Sequence, residues 1–285
     1  MAVVSNSIRV SPCCLLRRAS ELDNLREDVK YGRTPIHGVN LGGWLVAEAW
    51  MTKGSPIWEG VPDNIANKGE FQTMQHLGHT KGDARFRKHR DTFITEDDFR
   101  DIAQAKLNAV RIPVGYWITE RDTSGGGDPN AYKMFAPGAL DYLDKAIKQW
   151  APKYNVLVLI SMHAAKGSQN GQDHSSPSSP GNTYWSNYPE NVQNTLDNVE
   201  FLARRYNNDA SFLGISLLNE PSGTQQSATS SDWSKFMGPP EFQGVLHDWH
   251  RYQIWGYEGK DAGTPDSSLL LGQNSMCTLT LGMDG

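Results

Sequence analysis

Strand-like and helical patterns alternate along most of this chain, and the alternation limits the fold to sheets built from βα units. Residues 156–160 form a continuous apolar run, which is typical of a strand buried on both faces. The other predicted strands are 36–40, 109–112, which Pro113 ends, and 212–218. Strands that alternate with helices predict a parallel sheet. The predicted fold class is therefore α/β, with the strands arranged as in a (β/α)8 TIM barrel.

Three segments between the strands predict helices. One helix is expected to begin at Thr95, with Asp98 in the capping-box position and with Ile94 and Phe99 placed as a hydrophobic staple. Two further helices are predicted from apolar residues at helical spacing. The first contains Leu140, Leu143, Ile147 and Trp150, and the second contains Val192, Leu196, Val199, Leu202 and Ala203 on one side.

Other segments show no helical spacing. Residues 1–34 are predicted to be an irregular N-terminal arm, residues 51–93 a long irregular segment, and residues 167–189 a loop rich in Ser, Pro, Gly and Asn. A doubly wound open sheet is the structural alternative to the barrel. Because no Gly-rich phosphate or dinucleotide loop follows any predicted strand, the sequence favours the barrel.

Composition excludes several classes of partner. The chain has 285 residues, a formal net charge of −5 and a pI near 5.9, whereas nucleic acids and acidic membranes select basic patches. No apolar run reaches the length of a membrane span, so neither nucleic-acid nor membrane binding is predicted. The three cysteines give no disulfide framework. The N-terminal segment lacks the continuous apolar core of a secretory signal, so no signal peptide is predicted.

Polar side chains stand at or just beyond the ends of the predicted strands, where a barrel places its active site. They are Glu48, Arg111, His163, Asn219 and Glu220. An exposed loop glutamate is the alternative interpretation of Glu220, and a hydrogen-bonded structural histidine is the alternative for His163. No metal site is predicted, because the histidines of the chain lack the tight spacing of a zinc motif.

Several motifs, taken together and in this order, resemble glycoside hydrolase family 5. They are residues 38–46, 91–99, 110–117, His163, 167–171 and 217–221, with 247–252 further along the chain. The stretch from about 36 to 258 is most similar to the glucan 1,3-β-glucosidases of fungi and oomycetes. The resemblance implies a partial glycoside hydrolase barrel over 35–258, and it leaves 259–285 as a tail without a counterpart in the family.

The resemblance also implies a role for each strand-end residue. Glu220 would be the general acid/base, and Asn219 would contact the 2-hydroxyl of the sugar. The residues that would line the sugar-binding subsite are Glu48, Arg111, His163, His250 and Tyr252. Retaining glycosidases use two carboxyl groups about 5–5.5 Å apart, one as a nucleophile and one as an acid and then a base. This chemistry requires no metal and no organic cofactor.

Two departures from the family pattern bear on activity. Residues 222–244 are too few for the helix, strand and helix that a barrel needs before the segment resembling strand six. The family nucleophile is a glutamate at the end of strand seven, and no glutamate follows Glu258. We therefore expect an incomplete barrel without strand 5 and strands 7–8, and an inactive chain that is an imperfect or truncated gene product. Smaller departures are Ala49, Ala164 and Lys166, where the family usually has Pro, Gly and Pro.

Three functional hypotheses follow. The leading one is a retaining glycoside hydrolase, a glucan 1,3-β-glucosidase, that releases glucose from β-1,3-glucan oligo- or polysaccharide. The second is a non-catalytic β-glucan-binding protein, and the third is a related β-1,4-endoglucanase, since such enzymes share the Asn-Glu-Pro motif at 219–221. The resemblance also implies an extracellular or cell-wall location.

Overall fold

The computed structural model describes residues 12–222, with side chains from residue 21 onward. The strands in this range are β1 (Gly38–Asn40), β2 (Ala109–Gly115), β3 (Leu157–Ala164) and β4 (Phe212–Ser216). They pair in parallel, in the order β1-β2-β3-β4. Parallel strands that follow one another in chain order are the arrangement of a (β/α)8 barrel, whereas a doubly wound sheet reverses its order part-way. The predicted α/β class is confirmed.

Pro113 lies inside β2, although the sequence predicts that it ends this strand. The carbonyl of Arg111 faces β1, where it accepts a hydrogen bond from the Leu41 N–H at 2.8 Å. Residues two apart in a strand face the same neighbour, so the nitrogen of Pro113 faces β1 as well. Because β1 pairs only as far as Asn40 with Arg111, Pro113 lies beyond the paired part of this edge. Proline is tolerated where the edge of a strand is unpaired.

The helices lie between and before the strands. They are α1 (Pro12–Lys30), α2 (Asp63–Ala66), α3 (Glu70–Thr92), α4 (Glu96–Gln104), α5 (Ala139–Lys145), α6 (Ala151–Tyr154) and α7 (Pro189–Tyr206). A π-helical turn, Ala146–Trp150, joins α5 to α6 without a break. Over residues 12–222, no helix has the length and apolar character needed to cross a membrane.

Helix α4 begins as its sequence predicts. Thr95 is the N-cap, and the Asp98 carboxylate accepts from the Thr95 backbone N–H at 2.7 Å to complete the capping box. The cap fixes the start of the helix because it satisfies N–H groups that have no partner inside the helix. Buried apolar residues then fill the layer between the sheet and the helices. This layer includes Phe99, Val110, Ile112, Leu143, Ile147, Val158, Ile160 and Leu202.

Two segments that the sequence predicts to be irregular are helical. Helix α1 occupies much of the predicted arm, and its Leu22 and Val29 are buried against Ala109 and Leu157 in the amino-terminal parts of β2 and β3. Helix α3 occupies residues 70–92 of the segment predicted to be irregular over 51–93. Its buried side chains are mostly polar or charged, so they produce no apolar periodicity. The loop predicted over 167–189 is confirmed, apart from the short turn Asp173–Ser175.

Helix α7 faces the core with only part of the predicted side: Leu202 is buried and Val199 packs against the core. Leu196 was assigned to the apolar face, yet it is 54% exposed. The buried positions are Asn191, Asn194, Thr195, Asn198, Leu202 and Tyr206. Two of the three buried asparagines on this face donate to backbone carbonyls: Asn198 donates to the Asn194 carbonyl at 2.8 Å and Asn191 to the Tyr184 carbonyl at 3.0 Å. Asn198 also accepts from the Thr119 hydroxyl at 2.8 Å. A helix whose buried amides are hydrogen-bonded can face a core, which an apolar pattern does not predict.

Some predictions concern residues outside the described range. The predicted absence of strand 5 and of strands 7–8 concerns residues beyond 222, as do the tail 259–285 and the two predicted subsite residues His250 and Tyr252.

Candidate active site

A chain of hydrogen bonds across the sheet holds Asn219 at the end of β4. The Arg111 guanidinium, on β2, donates from Nη1 to Asn40 Oδ1 at 3.1 Å and from Nη2 to Asn219 Oδ1 at 2.8 Å. The backbone N–H of Asn219 donates to the Met162 carbonyl of β3 at 2.9 Å. Arg111 and Asn219 are both buried. One side chain thus ties the carboxyl ends of β1, β2 and β4 together.

The turn that carries Glu220 is held by the loop that follows β3. Gln169 Nε2 donates to the carbonyls of His163 at 2.7 Å and Asn219 at 2.9 Å. Asn170 Nδ2 donates to the Glu220 carbonyl at 3.0 Å, and the Ser222 N–H donates back to the Gln169 carbonyl at 3.0 Å. These bonds fix the backbone on both sides of the Glu220 side chain.

Glu220 adopts a left-handed backbone conformation, with φ of 43°. Residues other than glycine adopt this conformation at a cost, and they keep it only where the surrounding structure enforces it. The bonds to its backbone carbonyl and to Ser222 provide that enforcement. The carboxylate is 35% exposed, so it remains accessible from solvent.

His174 faces Glu220 across the site. Its Nε2 lies 3.6 Å from Glu220 Oε2 and 2.8 Å from Asn170 Nδ2. The ring of His163 contacts the ring of His174 edge to face, with centroids 5.3 Å apart. Asp173 is close to the other side of the imidazole, 3.9 Å from His174 Nδ1. His163, His174 and Glu220 therefore form one continuous polar surface.

Glu48 is the second carboxyl group of the site. Its pKa is raised to about 7, mainly by burial and to a smaller extent by the negative charges of Asp173 and Glu220, while the Trp50 indole N–H and Arg111 oppose the rise. The Trp50 N–H donates to Glu48 Oε2 at 2.9 Å. Because Arg111, Asp173 and Glu220 all act on this carboxyl, Glu48 lies within their electrostatic reach.

The structure brings together all the predicted site residues that it describes. Glu48, Arg111, His163, Asn219 and Glu220 converge at the carboxyl end of the sheet, and their catalytic and sugar-binding roles stay predictions. His250 and Tyr252 lie outside the described residues. No group of three or more His, Cys, Asp or Glu side chains suited to a metal ion occurs in the part of the chain that the structure describes.

Several residues of the site were not predicted. They are Asn40, Trp50, Gln169, Asn170, Asp173 and His174. Asn40 could have been found, since it ends the first predicted strand. Gln169 and Asn170 lie in the motif 167–171, which carries the family resemblance, but no role in the site was assigned to them. Asp173 and His174 lie further along the polar loop 167–189, where composition does not distinguish functional side chains from solvent-facing ones.

Comparison with known proteins identifies the family. Residues 66–253 match the family described as Cellulase (glycosyl hydrolase family 5). The chain belongs to glycosyl hydrolase family 5. Its parallel strands are accordingly part of a (β/α)8 barrel, and the strand-end cluster occupies the face where such barrels place their chemistry.

Curated relatives are similar over most of this chain. The glucan 1,3-beta-glucosidase of Pichia angusta is 36% identical over 220 residues, which cover 76% of this chain and 46% of the relative. The probable glucan 1,3-beta-glucosidase A of Aspergillus terreus is 36% identical over 222 residues, covering 78% of this chain and 48% of the relative. The chain thus spans about half the length of the curated relatives it matches.

Solved structures support the fold. The rutinosidase from Aspergillus niger superposes with a TM-score of 0.56 at 21% identity, over 66% of this chain and 49% of that one. A second structure, titled AoRut, gives a TM-score of 0.55 at 24% identity, over 67% of this chain and 49% of that one. At this identity the likeness concerns the fold alone.

Proposed function

We propose that this protein is a retaining glycoside hydrolase that releases glucose from β-1,3-glucan, with Glu220 as its general acid/base. The observation that carries the proposal is the fixed turn at the end of β4, which holds an accessible carboxylate beside a buried asparagine. The names of the curated relatives, glucan 1,3-beta-glucosidases, support the substrate class.

The neighbours of Glu220 suit a sugar ring. Asn219 accepts from Arg111 through Oδ1, which leaves its amide nitrogen to donate to a sugar hydroxyl. Glu48, with a pKa of about 7, is largely protonated below neutral pH and then donates a hydrogen bond to the substrate rather than repelling Glu220. His163 adds a second polar group on the same surface.

The reaction uses Glu220 twice. As an acid it protonates the glycosidic oxygen while the bond from that oxygen to the anomeric carbon breaks. As a base it then takes a proton from the water that attacks the anomeric carbon and releases glucose. Retention requires a second carboxylate about 5–5.5 Å from the first, which acts as the nucleophile between these two steps.

One alternative function is a protein that binds β-glucan without cleaving it. The related β-1,4-endoglucanase remains the other alternative and differs in the linkage that it cleaves. Both alternatives can be distinguished by assaying turnover and binding separately.

The first test is glucose release from laminarin by the 285-residue chain and by its Glu220→Gln variant. Where the chain releases glucose, we expect the substitution to reduce the rate by about 10²- to 10⁴-fold, because the acid and base steps lose their proton carrier. Glu200→Gln is the matched control, since Glu200 is an exposed glutamate on α7. Equal rates in the wild type and in Glu220→Gln would remove Glu220 from the mechanism.

A second assay applies if the chain releases no glucose. With α-glucosyl fluoride as donor and laminaribiose as acceptor, Glu220 would take the proton of the acceptor hydroxyl as the new C–O bond forms and fluoride leaves with its bonding pair. No nucleophile from the protein is needed, so fluoride release that Glu220→Gln abolishes supports the proposed base. Laminaribiose binding without fluoride release would favour the binding protein, and cleavage of cello-oligosaccharides alone would favour the endoglucanase.

The same proposal includes a location. We propose that the protein acts outside the cell or in the cell wall. The sequence resembles glucan 1,3-β-glucosidases of fungi and oomycetes, and β-1,3-glucan is a wall polysaccharide in these organisms.

A further inference from the structure

A buried carboxylate on α3 holds the backbone next to Glu48. Glu70 is completely buried, and its Oε2 accepts from the Ala47 backbone N–H at 3.2 Å. Ala47 immediately precedes Glu48 and is itself completely buried. The charge is costly in this place, since burial raises the pKa of Glu70 to about 7 although Arg90 opposes the rise.

Arg90 is also buried, and it connects Glu70 to a further loop. Its guanidinium lies 3.7 Å from Glu70 Oε1, and it donates to the carbonyls of Ala136 at 3.1 Å and Pro137 at 2.8 Å. Its own carbonyl accepts from the Trp44 indole N–H at 3.2 Å. The ion pair therefore joins α3, the loop after β1 and the loop before α5.

His89 holds the start of the same loop. Its Nε2 lies 2.8 Å from the Gly43 carbonyl, which can only accept, so Nε2 carries the proton. Its Nδ1 then accepts from the Ser55 hydroxyl at 2.9 Å. With Glu70 at Ala47 and His89 at Gly43, α3 fixes two points of the five-residue stretch 43–47 that leads into Glu48.

We propose that Glu70 is a positioning residue for Glu48: through the Ala47 N–H and the Arg90 pair, it sets where the Glu48 carboxyl meets the substrate. The inference rests on the proposed function for the role of Glu48 in sugar binding. The geometric part of the inference does not rest on the proposed function, because the position of the Glu48 carboxyl can be measured without any substrate.

Trp50 reports that position directly. Its indole N–H donates to Glu48 Oε2 at 2.9 Å, while the residue is 61% exposed. The proton and nitrogen chemical shifts of this N–H depend on its bond to the carboxylate. A Trp50→Phe variant assigns the signal in a ¹H–¹⁵N spectrum of the labelled full chain.

Two substitutions separate the parts of the Glu70 contact. Glu70→Gln keeps an acceptor for the Ala47 N–H but removes the charge that pairs with Arg90. Glu70→Asp keeps the charge but withdraws it by one methylene. We expect the Trp50 N–H signal to shift or broaden in both variants, and more in Glu70→Asp because it loses the direct contact with Ala47.

The control is a second buried ion pair, which joins the loop after β2 to the loop after β3. Lys166 Nζ lies 2.6 Å from Asp122 Oδ2, with side chains 6% and 2% exposed. Asp122→Asn removes a buried charge as Glu70→Gln does, but Asp122 hydrogen-bonds Lys166 and Ser124 rather than the loop 43–48. We expect it to lower the melting temperature and to leave the Trp50 signal in place.

Activity gives the second readout. If the chain releases glucose, we expect kcat/KM of Glu70→Asp to fall about 10- to 100-fold, as for other small displacements of a substrate-contacting group. If it releases neither glucose nor fluoride, the proposed function fails while the Trp50 signal still tests the positioning. An unchanged Trp50 signal in both folded Glu70 variants would overturn the inference, and so would an equal shift in Asp122→Asn.

Discussion

Lys166 shows how one residue can connect two loops of the site face. Lys166 forms a buried ion pair with Asp122 and donates to the Gly126 carbonyl at 3.0 Å. The pair joins the loop after β2 to the loop after β3. A sequence pattern does not predict it, since the two partners are far apart in the chain and lie in segments without periodicity.

The predictable site residues are those attached to strands. Arg111 and His163 stand within β2 and β3, and Asn219 follows β4, so recognising the strands was enough to place them together. His174 and Asp173 were missed because a loop's path depends on its own hydrogen bonds. Here that path is set by Gln169, whose side chain bonds backbone groups of β3 and of the β4 end.

His89 makes the stability of the protein depend on pH. Burial lowers its pKa to about 4 from the ordinary value of 6.5. A group whose pKa is lower in the folded state stabilises the fold above its unfolded pKa, and this contribution is lost as the pH falls towards 4. Glu48 and Glu70 act in the opposite direction, since their raised pKa values favour the folded state as the pH falls from 7.

Comparing the wild type with His89→Gln isolates the contribution of His89 to the pH dependence of stability, because both proteins keep Glu48 and Glu70. We expect the difference in unfolding free energy between the wild type and His89→Gln to shrink by about 2–3 kcal/mol between pH 7 and pH 4.5. Urea unfolding at the two pH values measures this difference. A constant difference would mean that the pKa of His89 is the same in the folded and unfolded states.

At the scale of elements, the sequence predicted strands better than helices. The four strands and α4 follow simple rules of apolar runs and capping, and α5 follows apolar spacing. Helix α3 was missed because its buried face consists mainly of polar and charged residues such as Glu70, His89 and Arg90. Those residues are inside because they bond backbone groups of neighbouring loops, a tertiary cause that no local pattern contains.

A glycine interrupts α3 near its middle. Gly78 has φ of 67° and ψ of 162°, a region open almost only to glycine. We expect Gly78→Ala to lower the unfolding free energy by about 1–3 kcal/mol, because alanine is strained there. Gly54→Ala is a matched control, since an added Cβ meets nothing within 4 Å at either position and Gly54 lacks the positive φ. Urea unfolding measures both changes in unfolding free energy, and equal changes for the two variants would contradict backbone strain at position 78.

At the scale of the whole molecule, the two ends of the sheet have separate tasks. The carboxyl end carries the polar site, whereas α1 contacts the sheet towards its amino end. Leu22 is completely buried there, with Val29, Ala109 and Leu157 in the same apolar cluster. The separation predicts that stability and the geometry of the site can be changed independently.

Leu22→Ala tests this separation. We expect the substitution to lower the unfolding free energy by about 2–5 kcal/mol, because it removes apolar contacts and leaves a cavity between α1 and the sheet. Leu196→Ala is the matched control, since Leu196 is 54% exposed and its truncation should change stability by less than about 0.5 kcal/mol. The Trp50 indole signal should remain in place in both variants, since the cluster around Leu22 includes no residue of the site. A shifted Trp50 signal in folded Leu22→Ala would show instead that packing at the amino end of the sheet determines the position of Glu48.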